Sequence, residues 1–285
     1  MFRSLHQQIR ERLTKWLMPN GVTLDYPPQL VPRWGEGKLP HPELYAMFDC
    51  DRKEYAALLS RFSELTAVLA ENNGEISWNT GWFDALDAIA LYSMTALRRP
   101  ANYLEIGSGI STKFARKAVR DFGLATNITS VDPQPRAEID AICNEIIRVG
   151  LEDADPAIFE RLVPGDFLFM DGSHRTLMNS DCTVFFLEVL PRLKPGVIVH
   201  IHDIFLPSDY PTGWRNLYYS EQYLLAAYLL AGEQLKILLP NAFASTHKEL
   251  LPLIRKLFIR EEMGQVGGWL GQTNYLGSSF WCEVR

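Results

Sequence analysis

From Asn102 onward the chain alternates short apolar runs with longer segments of helical periodicity, and no other feature of the sequence restricts the fold as much. The runs are NYLEIG, NITSVD, IIRVG, DFLFMDG, VIVHIHDI and LKILLP. Between them lie TKFARKAVRDFG, RAEIDAICNE, PAIFERL, DCTVFFLEVLPRL and SEQYLLAAYLLAG. Strands that are apolar almost throughout must be covered on both faces, which is the condition of a parallel sheet. Right-handed crossovers then place helices on both sides, so the expected class is α/β with a doubly wound, mostly parallel sheet.

Sheets of this kind bind ligands beyond the carboxyl ends of their strands, near the point where strand order reverses. Polar residues stand at those ends. Glu105 and a GSG turn close the first run, Asp132 the second, Asp171 the fourth, and His202 with Asp203 the fifth. His200 and His202 alternate along a strand and share a face about 6.6 Å apart. His202, at the strand end, is the functional candidate, and His200 reads as a hydrogen-bonded core histidine.

Residues 1–77 read as a helical and irregular extension before a domain at 78–285. Phe2, Leu5, Ile9, Leu13, Trp16 and Leu17 fall near helical spacing, which suits a packed arm or a homo-oligomer contact. VTLDYPPQLVPRWGEGKLPHPELY reads as an irregular connection, and DRKEYAALLSRFSELTAVLAENNG as a helix stopped by glycine. TGWFDALDAIALYSMTALRRP reads as a further helix ended by proline. No apolar run reaches the roughly 20 residues of a membrane span. The net charge of −6 leaves no cationic excess for a nucleic-acid backbone. Cys50, Cys143, Cys182 and Cys282 form no CxxC pair, so reduced thiols and a cytoplasmic location are expected.

A GxG turn between strand and helix can hold a phosphate, a dinucleotide or another nucleoside cofactor. GSGIST lacks the GK[ST] of a P-loop. It is also an imperfect dinucleotide fingerprint, because Thr112 stands where the third glycine belongs. YLEIGSGIST followed by SVDPQPR resembles the first motif and acidic strand end of class I methyltransferases dependent on S-adenosylmethionine (SAM). The resemblance implies a seven-stranded Rossmann-like sheet whose last strand, within GSSFWCEV, runs antiparallel. It implies cofactor contacts at Glu105, Gly107, Ser108, Gly109, Thr112, Asp132 and Asp171, with Asp132 accepting from the ribose hydroxyls. Glu152 or Asp153 would reach the adenine amino group. Glu105 beside the turn tolerates a sulfonium cofactor, whereas it would repel a pyrophosphate. Valine at 107 is expected to leave the fold and remove cofactor binding.

The second half of the site lies in DFLFMDGSHRTLMNSDCTVFFLEVLPRLKPGVIVHIHDIF. Its DGSH and late HD resemble a methyltransferase group related to metal-dependent sugar and macrolide O-methyltransferases and to cephalosporin hydroxylase-like proteins. The resemblance spans Trp78 to Leu239. It implies carboxylates holding a divalent metal at Asp171 and Asp203, with His202 where the relatives often have another acid, so that His202 is either a third ligand or no ligand. The catalytic candidates are Asp171, His174, His202 and Asp203, and the metal candidates Asp171, His202 and Asp203. An imidazole in that set favours manganese or a softer ion over magnesium. Without a metal, His174 or His202 would take the proton of the acceptor hydroxyl. Phe205, Tyr210, Trp214, Tyr218, Tyr219 and Tyr223 would wall the acceptor pocket. The expected function is O-methylation of a small-molecule or glycan hydroxyl. A SAM-binding partner protein without methyl transfer and an NAD-binding oxidoreductase remain open alternatives.

Overall fold

The computed structural model describes residues 28–70, 76, 81–259, 263 and 273–285. The amphipathic segment expected between Phe2 and Leu17 lies outside them. The chain divides into two compact units, residues 1–31 and 32–285, and the second holds the whole sheet.

The centre of this second unit is one seven-stranded sheet of order β3-β2-β1-β4-β5-β7-β6. The strands are β1 (Asn102–Ile106), β2 (Asn127–Val131), β3 (Glu145–Ile147), β4 (Phe167–Met170), β5 (Ile198–Ile201), β6 (Leu235–Pro240) and β7 (Phe280–Val284). All neighbours are parallel except those of β7, which runs antiparallel to β5 and β6. All four residues of β4 and of β5 are buried, as a sheet covered on both faces requires.

Among the described residues, five helices matter most to the site. Helix α1 (Pro42–Cys50) falls at the end of a segment whose prolines and glycines suggest irregular chain; Pro42 starts it, because a first-turn residue needs no N–H donor. Helix α2 (Arg52–Ala70) buries Tyr55, Leu59, Phe62, Thr66 and Leu69, spaced three and four apart. The first and second helices share the hydrophobic core of the sheet, through Leu44, Phe48, Tyr55 and Phe62. The compact unit therefore starts at Pro32, upstream of the boundary drawn from sequence at 77/78. Helix α3 (Ala85–Arg98) is buried from Ala85 to Ala96 and includes a carboxylate, Asp87, among its buried residues. Helix α4 (Ile110–Asp121) follows the glycine turn.

RAEIDAICNE forms only a short 3-10 turn at Asp140–Ile142. After the small α5 (Ala157–Glu160), DCTVFFLEVLPRL begins as α6 (Asp181–Val184), widens into a π turn at Phe185–Val189 and ends as a 3-10 turn at Leu190–Arg192. Pro191 has no N–H to continue an α ladder there. The fifth helix of importance to the site is α7 (Glu221–Ala231), and α8 (Asn241–Thr246) and α9 (Leu251–Leu257) come after it. Among the described residues no helix is long and apolar enough to cross a membrane.

Candidate active site

Register places the site. Ile106 pairs with Val131 on one side and Met170 on the other, and Met170 pairs with Ile201. The next residues therefore stand in one row: Asp132, Gly107, Asp171 and His202. Backbone hydrogen bonds continue across that row, from Gly107 N to Val131 O (3.1 Å), Asp171 N to Ile106 O (2.9 Å) and His202 N to Met170 O (3.0 Å). Strand order reverses between β1 and β4, so the crevice opens beside Gly107 and Asp171.

On the β1–β2 side lies a cavity of about 430 Å³, lined by Gly107, Ser108, Asp132, Arg136, Glu152, Asp171, Gly172 and Asp181 among others. Asp132 is fixed by two backbone donors, Ser108 N–H to Oδ2 and Gln134 N–H to Oδ1, both at 2.7 Å. Each carboxylate oxygen can accept once more, so the pair of oxygens suits a diol. Glu152 lines this cavity, whereas Asp153 lines an adjoining one with Glu152, Phe159 and Glu188.

Glu105 and Thr112 are absent from this lining. Glu105 is fully buried and accepts from Ser111 Oγ, Thr112 Oγ1 and Tyr103 Oη. Thr112 Oγ1 also accepts from Gly109 N–H at 3.0 Å, capping α4. Both residues brace the glycine turn from beneath, with hydroxyl partners within the chain on the carboxylate. Burial, opposed by those hydroxyls, pushes the Glu105 carboxyl up to about 7. The unfolded chain releases this proton near 4.5, so between 4.5 and 7 the folded state binds the extra proton. Stability is then full below pH 4.5 and falls as pH rises through 7, by up to about 3 kcal/mol. Thermal melts at pH 5 and pH 8 should show this decline, and Glu105→Gln should flatten it; an unchanged slope in that variant would refute the assignment.

On the β4–β5 side a second cavity of about 320 Å³ is lined by Trp82, Arg136, Asp171, His174, Arg175, His202, Asp203, Trp214, Leu217 and Tyr219 among others. Asp171 and Arg136 belong to both cavities. The aromatic stretch is divided: Trp214 and Tyr219 face this cavity, with Phe205 and Tyr210 packed in a cluster behind them. Tyr218 is half exposed, and Tyr223 donates to Asp209 at 2.9 Å. Arg136 lies over the Trp82 ring at 4.7 Å and Arg175 over Tyr219 at 5.1 Å.

The floor of the second cavity is a knot of acids and imidazoles. Asp171, His202 and Asp203 each offer a ligand atom within 4.8 Å of the others. His202 Nδ1 is 3.7 Å from Asp171 Oδ1 and 3.4 Å from Asp203 Oδ1. His174 Nε2 approaches the same carboxylates, at 3.2 Å from Asp171 Oδ1 and 3.4 Å from Asp203 Oδ2. His174 and Asp203 both hold positive φ, 59° and 56°, a conformation uncommon outside glycine and concentrated at functional sites.

Two carboxylates outside the cavity lining complete the knot. Glu221 Oε2 lies 2.8 Å from His174 Nδ1, and Asp87 Oδ2 lies 3.4 Å from His202 Nε2. Burial opposes the charge on each imidazole, but the surrounding carboxylates outweigh it and raise both pKa values well above the ordinary range. Burial likewise works against the Asp171 anion, yet His202 and His174 hold it well below the usual carboxylate range. For Asp203 burial wins over the imidazoles and pushes the carboxyl up. The space between these groups demands positive charge, whether protons or a metal cation. Carboxylates face both ring nitrogens of His174. His200 takes no part: it stacks between Phe169 (4.1 Å) and Trp281 (3.9 Å), with Nε2 2.6 Å from Ser279 Oγ.

Residues 104–204 match a family model described as a methyltransferase domain, on a seven-stranded sheet whose last strand is reversed. Over those residues the chain is similar to a methyltransferase domain. No curated protein matches the chain. Among solved structures, the methyltransferase domain is similar to an O-methyltransferase from Bacillus cereus in complex with S-adenosylhomocysteine (SAH): 14% identity, 80% of this chain and 91% of that one, TM-score 0.45. It is also similar to a Mg-SAM complex of CmcI, at 16% identity, 71% and 72% coverage and TM-score 0.42. A third likeness is SAH-bound PaMTH1 of Podospora anserina, at 14% identity, 84% and 94% coverage and TM-score 0.39. Fold alone does not fix chemistry, so what this chain does depends on its own side chains.

Sequence reasoning missed Trp82, Arg136, Arg175, Asp87 and Glu221. Trp82 and the two arginines sit in loops, and each acid lies in the first turn of a helix, where acids are common for the helix dipole alone.

Proposed function

We propose that the chain is an O-methyltransferase for a small-molecule or glycan hydroxyl, with SAM in the first cavity and the acceptor in the second. The observation that carries this reading is the junction of the two cavities at Asp171 and Arg136. A methyl group has to cross from one ligand to the other there, and a SAM-binding partner protein would need no second, chemically equipped cavity. In this proposal residues 78–285 carry the cofactor and acceptor sites, with helices α1 and α2 packed on the same core, and the segment before those helices supplies a homo-oligomer contact. The scattered cysteines support a cytoplasmic setting.

Gly107, Ser108 and Asp132 would hold the cofactor, with Glu152 at its adenine end; SAM supplies the electrophilic methyl group. Asp171, His202 and Asp203 fit a divalent cation, since two hard oxygen donors and one imidazole converge with surplus negative charge around them. Such an ion, when bound, lowers the pKa of an acceptor hydroxyl. Trp214, Leu217 and Tyr219 orient the acceptor's apolar face, and Asp203, the carboxyl that burial pushes up, receives the proton as the hydroxyl becomes a nucleophile. His174, already engaged by Glu221, keeps the Asp171 and Asp203 carboxylates apart.

Calorimetry should show SAH binding and no NAD binding, and Asp132→Ala should weaken SAH by about 1.5–3 kcal/mol, the range of a hydrogen bond to a charged group. In an acceptor screen, turnover should vanish with chelator and return better with Mn²⁺ than with Mg²⁺. Turnover indifferent to chelator would overturn the cation assignment, and absence of SAH binding would overturn the cofactor assignment.

A further inference from the structure

Asp87 and Glu221 are fully buried, come from different helices and line neither cavity, yet each faces one imidazole of the site. A buried carboxylate costs several kcal/mol unless its partners compensate, and an apolar residue would serve packing better. Asp87 is the plainer case, because its buried neighbours on α3 are nearly all apolar. Its Oδ1 accepts from Asn241 Nδ2 (2.7 Å) and Ser279 N (2.9 Å), and its Oδ2 from Ser278 N (2.9 Å). Gly277 leaves room for it, since a Cβ there would lie 2.6 Å from Asp87 Oδ1. The residue after β6 and the turn before β7 therefore hold this carboxylate in one place.

What it is held for is His202. The Nε2 atom is buried, makes no hydrogen bond and has Asp87 Oδ2 at 3.4 Å, a few tenths of an ångström outside bonding range. Glu221 repeats the pattern with His174 at 2.8 Å. In both cases the outer ring nitrogen meets a buried acid and the inner one meets Asp171 and Asp203.

We propose that Asp87 and Glu221 are paired positioning residues. Each accepts the outer N–H of one imidazole, fixing its tautomer and ring plane, so that His202 Nδ1 presents its lone pair to the cation and His174 keeps the ligating carboxylates in place. This rests on the reading of Asp171, His202 and Asp203 as a cation site. Partners of this kind fix which ring nitrogen is free and strengthen it as a donor.

The test is a Co²⁺ titration of the full chain, read by the ion's visible absorption, with SAH affinity as the measure of an intact fold. Asp87→Asn and Glu221→Gln should each weaken Co²⁺ about 10–100-fold, the usual effect of such partners, and leave SAH affinity at the wild-type level. Wild-type Co²⁺ affinity in both variants overturns the proposal. Glu221→Gln carries the test if Asp87→Asn does not fold, because among the described residues the Glu221 carboxylate has no backbone partners to lose. If the wild-type chain gives no Co²⁺ band, the cation reading fails, and ring ¹⁵N spectra of histidine-labelled protein decide the positioning. The proposal then requires shifts at His202 in Asp87→Asn and at His174 in Glu221→Gln; unchanged rings overturn it.

Discussion

Asp171→Asn should lower methyl transfer about a thousandfold or more and should also lower the melting temperature at neutral pH. The loss follows from position: Asp171 lines both cavities, and its Oδ1 faces both His174 and His202. An amide there removes the anion that would hold a cation. The loss of stability follows from charge. His202 and His174 hold the Asp171 carboxyl well below the usual carboxylate range, so its anion stabilises the folded state wherever the unfolded chain's carboxylate is ionised. An amide at this position forfeits that contribution and leaves the two imidazoles with one counter-charge fewer. Steady-state rates and thermal melts of the same preparation check both halves. A variant that keeps a tenth of the wild-type rate would remove Asp171 from the chemistry, and an unchanged melting temperature would overturn the charge assignment.

The fold was legible because its strands are buried on both faces and so write themselves as unbroken apolar runs. The row Asp132, Gly107, Asp171 and His202 was legible for the same reason: once the strands are found, their carboxyl ends are found. Residues that act from behind the row were not. Asp87 and Glu221 sit near helix starts, where the sequence offers two ordinary explanations for an acid, and only the packing of α3 and α7 brings them to His202 and His174. Glu105 shows the opposite case. Its place beside the glycine turn points to the ligand, whereas its side chain turns inward to Ser111 and Thr112. Strand periodicity says which face a residue takes, not which neighbour claims its last polar atom.

Gly107 sharpens that distinction and gives the other large effect. By sequence alone its glycine makes room for a cofactor, and valine there would fold without binding. In the structure Gly107 has φ +76°, and a Cβ on it would lie 1.8 Å from the backbone oxygen of Asp171. The obstacle is the neighbouring strand end rather than a ligand. That strand end cannot yield, because Asp171 N is bonded to Ile106 O and His202 N to Met170 O. A side chain would therefore have to break the row that builds both cavities, on top of the strain of a left-handed valine. Gly107→Val is expected to destabilise the domain by about 4 kcal/mol or more, and Gly107→Ala by nearly as much. Urea unfolding measures this directly. A valine variant that unfolds at the wild-type midpoint but has lost SAH affinity would return the glycine to its ligand role; one that melts early, with its residual affinity rescued by excess SAH, would assign it to the join between β1 and β4.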